Sequence, residues 1–156
     1  MSGLRCVAIS LKIPDNEAFT ALTTLQRLNL PISRLERADI WLFQMLRQCS
    51  AQAPEADGLL QAVQSNELLF NPNKHVVRER PGSEPREGEV WIEELGQDPS
   101  LRAQLGGKKI SGVRSAKRMR GWQLYDESGT PADRELVSAA AEALLCNPAI
   151  ERAILS

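Results

Sequence analysis

A short motif occurs twice in the sequence, about half a chain apart, and this repeat constrains the fold more than any other feature. Residues 68–72 read Leu-Leu-Phe-Asn-Pro and residues 144–148 read Leu-Leu-Cys-Asn-Pro, in a chain of 156 residues. Self-similarity at half the chain length indicates two structural units of one kind. We therefore predict a tandem duplication of a unit of about 75 residues.

Two further matches occur in the same order along the chain. Trp41 corresponds to Trp122, 81 positions later, and each is preceded four positions upstream by an arginine, Arg37 or Arg118. Residues 6–9 can be aligned with residues 90–92 at an offset of about 84. The offset then falls to 81 and to 76 along the chain, as short loop deletions would produce.

The hydrophobic pattern of the first predicted unit indicates the order β-α-β-β-α-β, in which two helices cover one face of an antiparallel sheet. Asp15 or Asn16 is expected to cap the first helix, a turn near residues 38–39 to separate two strands, and Pro54 to begin the second helix. Residues 71–72 are expected to end that helix, because the residue before proline avoids the helical conformation. The predicted strands are residues 5–13, 32–37, 40–46 and 74–79.

The second predicted unit has the same order. Residues 98–99 precede a short helix that residues 106–107 end, and Thr130 or Asp133 caps the last helix. The predicted strands are residues 89–95, 110–116, 121–126 and 150–155. We place the first repeat at residues 1–79, a linker at 80–88 and the second repeat at 89–156.

These elements predict an α+β fold of two ferredoxin-like repeats. Helices on one side of each sheet leave the other side to be covered. The simplest arrangement packs the two open faces together as a pseudo-dimer within one chain, with the helices outside. Trp41, Phe43, Trp122 and Leu124 are the residues expected to fill the seam.

Composition excludes several classes of protein. The formal net charge is −1, so no strong overall field attracts nucleic acid or membrane lipid. The apolar runs are too short for a membrane span, and the N-terminal residues lack the apolar core of a signal peptide. We expect a cytoplasmic protein.

Cysteine and histidine usage argues against a metal site or a nucleophilic enzyme. Cys6, Cys49 and Cys146 are odd in number and widely spaced, so they are interpreted as reduced, buried thiols. His75 is the only histidine, which removes most acid–base and zinc chemistry. No metal ion, cofactor or catalytic residue is predicted.

The most conspicuous charged stretch lies between the two middle strands of the second unit. Arg114, Lys117, Arg118 and Arg120 place four cations in seven residues. Such a cluster can bind phosphate, an acidic protein surface or RNA, or it can be a solvated hairpin tip. RNA is disfavoured, because aromatic residues, which stack on bases, make up only 4% of the chain.

Three stretches of the second unit resemble a known family. Residues 112–117 are similar to a Val-Arg-x-Gly-Lys stretch, with Ala116 in place of the glycine, and residues 144–151 are similar to a Leu-Leu-x-Asn-x-x-Ile-Glu close. Asp98 and Pro99 are similar to the Asp-Pro before the first helix of that family. The family is PurS, the small subunit of phosphoribosylformylglycinamidine synthase in purine biosynthesis. The likeness covers residues 89–156 directly and the first repeat only through the internal match.

The resemblance implies a non-catalytic accessory subunit that bridges the glutaminase and synthetase subunits of an amidotransferase. A fused pair of repeats would correspond to the dimer that the family forms, and a further homodimer stays open. By charge alone, the four cations are the predicted partner-binding surface. A small-molecule-binding regulatory protein of the ferredoxin-like, ACT-like type is the alternative, and a free-standing enzyme is the least favoured.

Overall fold

The protein is an α+β structure with one six-stranded antiparallel sheet. The computed structural model describes residues 3–46, 54–106, 110 and 112–156. The strand order is β3-β1-β2-β5-β4-β6. The elements in chain order are β1 (Leu4–Leu11), α1 (Asn16–Arg27), β2 (Ile32–Met45), α2 (Pro54–Gln64), β3 (His75–Arg80), β4 (Glu89–Glu94), α3 (Leu101–Leu105), β5 (Val113–Asp126), α4 (Arg134–Ala140), a π-helical turn (Ala141–Leu145) and β6 (Glu151–Leu155).

The chain divides into two compact units, and each unit takes segments from both sequence repeats. The first unit comprises Met1–Ile13, Asp39–Ser83 and Gln97–Arg118. The second comprises Pro14–Ala38, Glu84–Gly96 and Met119–Ser156. The boundaries fall inside the two longest strands, because β2 passes from the second unit into the first at Asp39 and β5 passes back at Met119.

In the first unit, β1 lies between β2 and β3. Val7 is opposite Trp41 on one side and Glu79 on the other. Apolar side chains of these strands form a buried cluster with residues of α2, α3 and the start of β5. Its members include Val7, Ile9, Trp41, Phe43, Leu59, Val63, Leu105, Val113 and Ala116. Cys6 and Ala8 are also buried, so side chains on both faces of β1 are covered.

In the second unit, β4 lies between β5 and β6. Val90 is opposite Trp122 on one side and Leu155 on the other. The buried cluster of this unit combines the strands with α1, α4 and the π-helical turn. Its members include Ala18, Leu25, Ile32, Leu35, Val90, Ile92, Trp122, Leu124, Val137 and Leu145.

Some strands of the two sequence halves match in length or register. β2 and β5 each have 14 residues, and each starts and ends 81 positions from the other. The register places Val90 where Val7 lies, because both face the matched tryptophans. The offset of β4 from β1 is therefore 83 and not about 84. The difference matters, because a slip of one residue in a strand exchanges its two faces.

The predicted hairpins within each repeat are wrong. Instead of strands 32–37 and 40–46 with a turn near residues 38–39, the chain forms the single strand β2. Instead of strands 110–116 and 121–126, it forms the single strand β5. Leu35 packs in the core of the second unit and Trp41 in the core of the first, so the hydrophobic pattern changes where the strand passes between cores.

The predicted helix boundaries are confirmed in part. Asp15 caps α1 by accepting hydrogen bonds from the N–H groups of Glu17 and Ala18, and Asp133 caps α4. Helix α2 begins at Pro54 as predicted, but it ends at Gln64 and not at residues 71–72. The remaining residues form turns in which the carbonyl of Asn66 accepts hydrogen bonds from two later amides.

The aromatic and apolar residues assigned to the seam are divided between the two cores. Trp41 and Phe43 stack with ring centroids 5.9 Å apart and share the cluster that contains α2 residues. Trp122 and Leu124 belong to the cluster that contains α1 and α4 residues. Each pair therefore packs with helices in its own unit.

Candidate functional site

The four cations predicted to form a partner-binding surface all lie on β5. Arg114, Arg118 and Arg120 are exposed, and Lys117 is half-buried. Arg114, Lys117 and Arg118 belong to the first unit, whereas Arg120 belongs to the second. We call the three residues of the first unit the cationic segment.

Arg118 is held by its backbone and leaves its guanidinium accessible. Its amide N–H donates to Oε1 of Gln97 at 2.7 Å, and Nε2 of Gln97 donates to its carbonyl at 2.8 Å. The guanidinium makes an ion pair with Asp39 at 3.3 Å, with side chains 56% and 39% exposed. Solvent screens such a pair, so it holds the side chain only weakly.

The matched arginine of the other half, Arg37, is fully engaged. Its Nε donates to Oδ2 of Asp15 at 2.8 Å, and its guanidinium also pairs with Glu17. The side chains of Arg37 and Asp15 are only 21% and 15% exposed. Because Asp15 is also the cap of α1, Arg37 holds the capping carboxylate in place and has a structural role.

The two matched strand segments that contain Arg37 and Arg118 differ in charge. Residues 32–39 of β2 contain two cations and two acids, Arg34, Glu36, Arg37 and Asp39. Residues 113–120 of β5 contain the four cations and no acid. At matched positions, Lys117 stands where β2 has Glu36 and Arg120 stands where it has Asp39.

Sequence reasoning found the cations but missed Gln97 and Asp39. At the offset of 83 that the strand register gives, Gln97 matches Pro14, which has no N–H and no side-chain amide. Asp98 matches Asp15, but its Oδ1 accepts from the amide of Ser100 at 2.9 Å. The replacement of a proline by Gln97 becomes visible only at the offset of 83 that the strand register gives, and no local motif in the sequence indicates it.

The repeated Leu-Leu-x-Asn-Pro motif forms a tight turn in each half. In the first turn, the carbonyl of Asn71 accepts from the amides of Lys74 and His75, and Oδ1 of Asn71 accepts from the amide of Asn73 at 2.9 Å. The amide of Asn71 donates to Nδ1 of His75 at 2.9 Å. Nδ1 is thus an acceptor, so the neutral imidazole carries its proton on Nε2.

The second turn repeats these contacts. The carbonyl of Asn147 accepts from the amides of Ile150 and Glu151, and Oδ1 of Asn147 accepts from the amide of Ala149 at 3.1 Å. The amide of Asn147 donates to Oε1 of Glu151 at 2.8 Å. The motif is therefore a structural device that leads into the last strand of each half.

The cysteines and the acidic residues are the other chemistry-bearing groups of the chain. Within residues 3–46, 54–106, 110 and 112–156, no three His, Cys, Asp or Glu residues are placed to hold a metal ion. Cys6 is buried, and partial burial raises the pKa of the Cys146 thiol, with a smaller contribution from Glu151. Cys49 lies outside the described residues. Among the described helices, none has both the length and the apolar character of a membrane span.

An open depression of about 510 Å³ lies in the second unit. Two of its four carboxylates have structural partners. The Thr130 hydroxyl donates to Asp126 and lowers the pKa of that carboxyl, and Asp133 caps α4. The residues that line it are Pro31, Asp126, Glu127, Ser128, Asp133, Glu135 and Leu136.

Comparison with known proteins does not assign a family. No protein-family model matches the sequence, and no curated protein matches it.

Proposed function

We propose that this protein is a non-catalytic accessory subunit of an amidotransferase of the phosphoribosylformylglycinamidine synthase type. In this role it holds the glutaminase and synthetase subunits together, so that ammonia passes between them in the cytoplasm. It is a PurS-like protein in which two ferredoxin-like repeats, produced by tandem duplication, pack as a pseudo-dimer within one chain.

The observation that carries this proposal is the agreement between the two halves. β2 and β5 have the same length, Val7 and Val90 occupy the same register, and the two Asn-Pro turns have the same hydrogen bonds. The second turn lies within residues 144–151, the longest stretch that resembles the PurS family. Two similar halves in one chain fit a family whose single units associate as pairs.

The chemistry of the described residues fits a binding role. Three of the four cations of β5 are exposed, and such groups recognise carboxylates or phosphates but do not supply general acid–base catalysis at neutral pH. A bridging subunit needs surfaces of this kind and no reactive centre.

Reconstitution with the glutaminase and synthetase subunits of the same source tests the proposal. We expect glutamine-dependent synthesis to require this protein, whereas synthesis from free ammonia by the synthetase should not. Size-exclusion chromatography with light scattering, in glutamine and Mg-ATP, should show one complex that contains all three chains. Full glutamine-dependent activity without this protein would reject the proposal.

Thermal-shift measurements with a panel of amino acids and nucleotides distinguish the accessory subunit from the alternative, a small-molecule-binding regulatory protein. A large shift with one metabolite, together with no binding to either subunit, would identify a small-molecule-binding regulatory protein instead.

A further inference from the structure

The cationic segment carries more positive charge than the matched residues of β2, which are Ser33, Glu36 and Arg37. Arg114 stands at the position of Ser33, and Lys117 at the position of Glu36. The formal net charge of the chain is only −1, so this concentration of cations does not reflect an overall basic composition.

The accessible geometry suits an extended acidic ligand. Arg114 and Arg118 are both exposed and lie four residues apart on a strand, a separation of about 13 Å. An extended peptide has the same rise per residue, so acidic side chains four residues apart on it have the same spacing. Two guanidinium groups can each hold a carboxylate through paired hydrogen bonds.

The present contact of Arg118 does not compete strongly with such a ligand. Its ion pair with Asp39 joins two side chains that are roughly half and two-fifths exposed. By contrast, Arg37 is held by two acids and is mostly covered. A partner carboxylate can therefore replace Asp39 without leaving a buried charge unpaired.

The first unit lacks the features that a nucleic-acid surface needs. Single-stranded nucleic acids bind where exposed aromatic rings lie beside the cations, because the bases stack on them. Among the described residues of this unit, Trp41 and Phe43 are buried and Phe70 is half-buried.

From these observations we infer that the cationic segment docks a carboxylate-rich segment of a partner protein. The inference deepens the proposed function and rests on it in taking the partner to be a protein. The partner segment is extended, with acidic residues on one side.

Fluorescence anisotropy with defined probes tests the inference. The probes are a fluorescein-labelled peptide with glutamate at every second position and a labelled single-stranded RNA of equal formal charge. The test variant Arg114→Ser/Arg118→Glu removes the two guanidinium groups that would hold the carboxylates. The control variant Lys74→Glu/Arg78→Ser makes the same change of net charge at exposed residues of the same unit.

We expect the glutamate peptide to bind the native protein at low salt and to bind the test variant about tenfold more weakly. The control variant should bind the peptide nearly as well as the native protein. Circular dichroism and the Tm check that each variant is folded. If the test variant does not fold, Arg114→Ser/Arg118→Gln replaces it and the same loss of peptide binding is expected.

Three results would overturn the inference. They are absence of peptide binding, an equal loss in the control variant, and tighter binding of RNA than of the peptide. Reconstitution distinguishes a failure of this inference from a failure of the proposed function. If the peptide binds but the amidotransferase subunits do not assemble, only the proposed function is rejected. If the test variant still supports assembly and still binds the peptide as the native protein does, only the docking inference is rejected.

Discussion

The turns at Asn71 and Asn147 have the same hydrogen bonds but use different side chains to close them. In both, the asparagine carbonyl accepts from the third and fourth following amides, and its side chain accepts from the second. The asparagine amide then donates to His75 in one turn and to Glu151 in the other. The backbone therefore requires an acceptor at this position, and either an imidazole or a carboxylate supplies it.

The matched arginines give the opposite lesson. Arg37 and Arg118 are the same residue at the same strand position, but one is paired in a capping cluster and the other is exposed. What differs is the set of neighbours: Asp15 and Glu17 in one half, Gln97 and Asp39 in the other. Identity at a matched position thus does not imply the same role.

Truncation of matched core residues should have the largest effect on the free energy of unfolding. Phe43 and Leu124 occupy the same position in β2 and β5, and both are 0% exposed. We expect Phe43→Ala to lower the free energy of unfolding by about 3–5 kcal/mol and Leu124→Ala by about 2–5 kcal/mol. Urea unfolding monitored by circular dichroism measures both. Leu42→Ala, at a half-buried neighbour, should cost less, and a similar loss there would show that the matched positions are not equivalent core sites.

Removal of each matched arginine should destabilise the protein to a different extent. Arg37→Ala breaks bonds to two acids in a mostly covered site, so we expect a loss of about 1–3 kcal/mol. Arg118→Ala breaks one exposed ion pair and should cost less than about 1 kcal/mol. Urea unfolding at low and high salt measures both losses. If Arg118→Ala destabilised the protein as much as Arg37→Ala, the exposed arginine would be structural and the contrast would fail.

Removal of the two acceptors should affect the two Asn turns separately. His75→Ala removes the acceptor of the Asn71 amide, a hydrogen bond worth about 1 kcal/mol. Glu151→Ala does the same for the amide of Asn147. Hydrogen exchange should show reduced protection at Asn71 only in the first variant and at Asn147 only in the second.

Exchange of the acceptors provides the control for this prediction. His75→Glu installs the acceptor of the second turn and should keep the amide of Asn71 protected. A loss of protection as large as that in His75→Ala would mean that a carboxylate cannot close the first turn.

The smallest expected effect concerns the ends of the matched strands. β2 ends at Met45, whereas β5 ends at Asp126, whose pKa is lowered chiefly by the hydrogen bond from the Thr130 hydroxyl. Because the pKa is lower in the fold than in the unfolded chain, this carboxylate stabilises the fold above its unfolded pKa, and the contribution is lost as the pH falls. Thr130→Val should raise the pKa of Asp126, which NMR titration of the carboxyl carbon measures. No upward shift would exclude the hydroxyl as the cause.

Much of the fold was predictable from local patterns, but the continuity of the long strands was not. The caps at Asp15 and Asp133 and the Asn-Pro turns depend on neighbouring residues, which the sequence displays. In β2, by contrast, Leu35 and Trp41 pack in different cores, and residues 36–39 between them are exposed or half-buried. Such a gap in the apolar pattern looks like a turn in the sequence, although residues 38–39 contain no glycine or asparagine to form one.

The candidate site was predictable in composition but not in its contacts. Four cations in seven residues are visible in the sequence, and so is their separation from acids along the chain. The pairing of Arg118 with Asp39 joins residues 79 positions apart, and the support from Gln97 depends on a loop that lies beside β5. Such long-range placement depends on the register of the sheet, which no local pattern determines.

The passage of β2 and β5 between the two units has a consequence for synthesis on the ribosome. The first unit needs Gln97–Arg118, and the second needs Met119–Ser156 as well as Pro14–Ala38. A nascent chain that ends before Gln97 therefore lacks Leu105 and Val113 from the core of the first unit, although β1 and β3 have already been made. Neither unit can complete its core until most of the chain has been translated. Apolar strands therefore stay exposed during synthesis, and we expect folding to depend on chaperones that bind them.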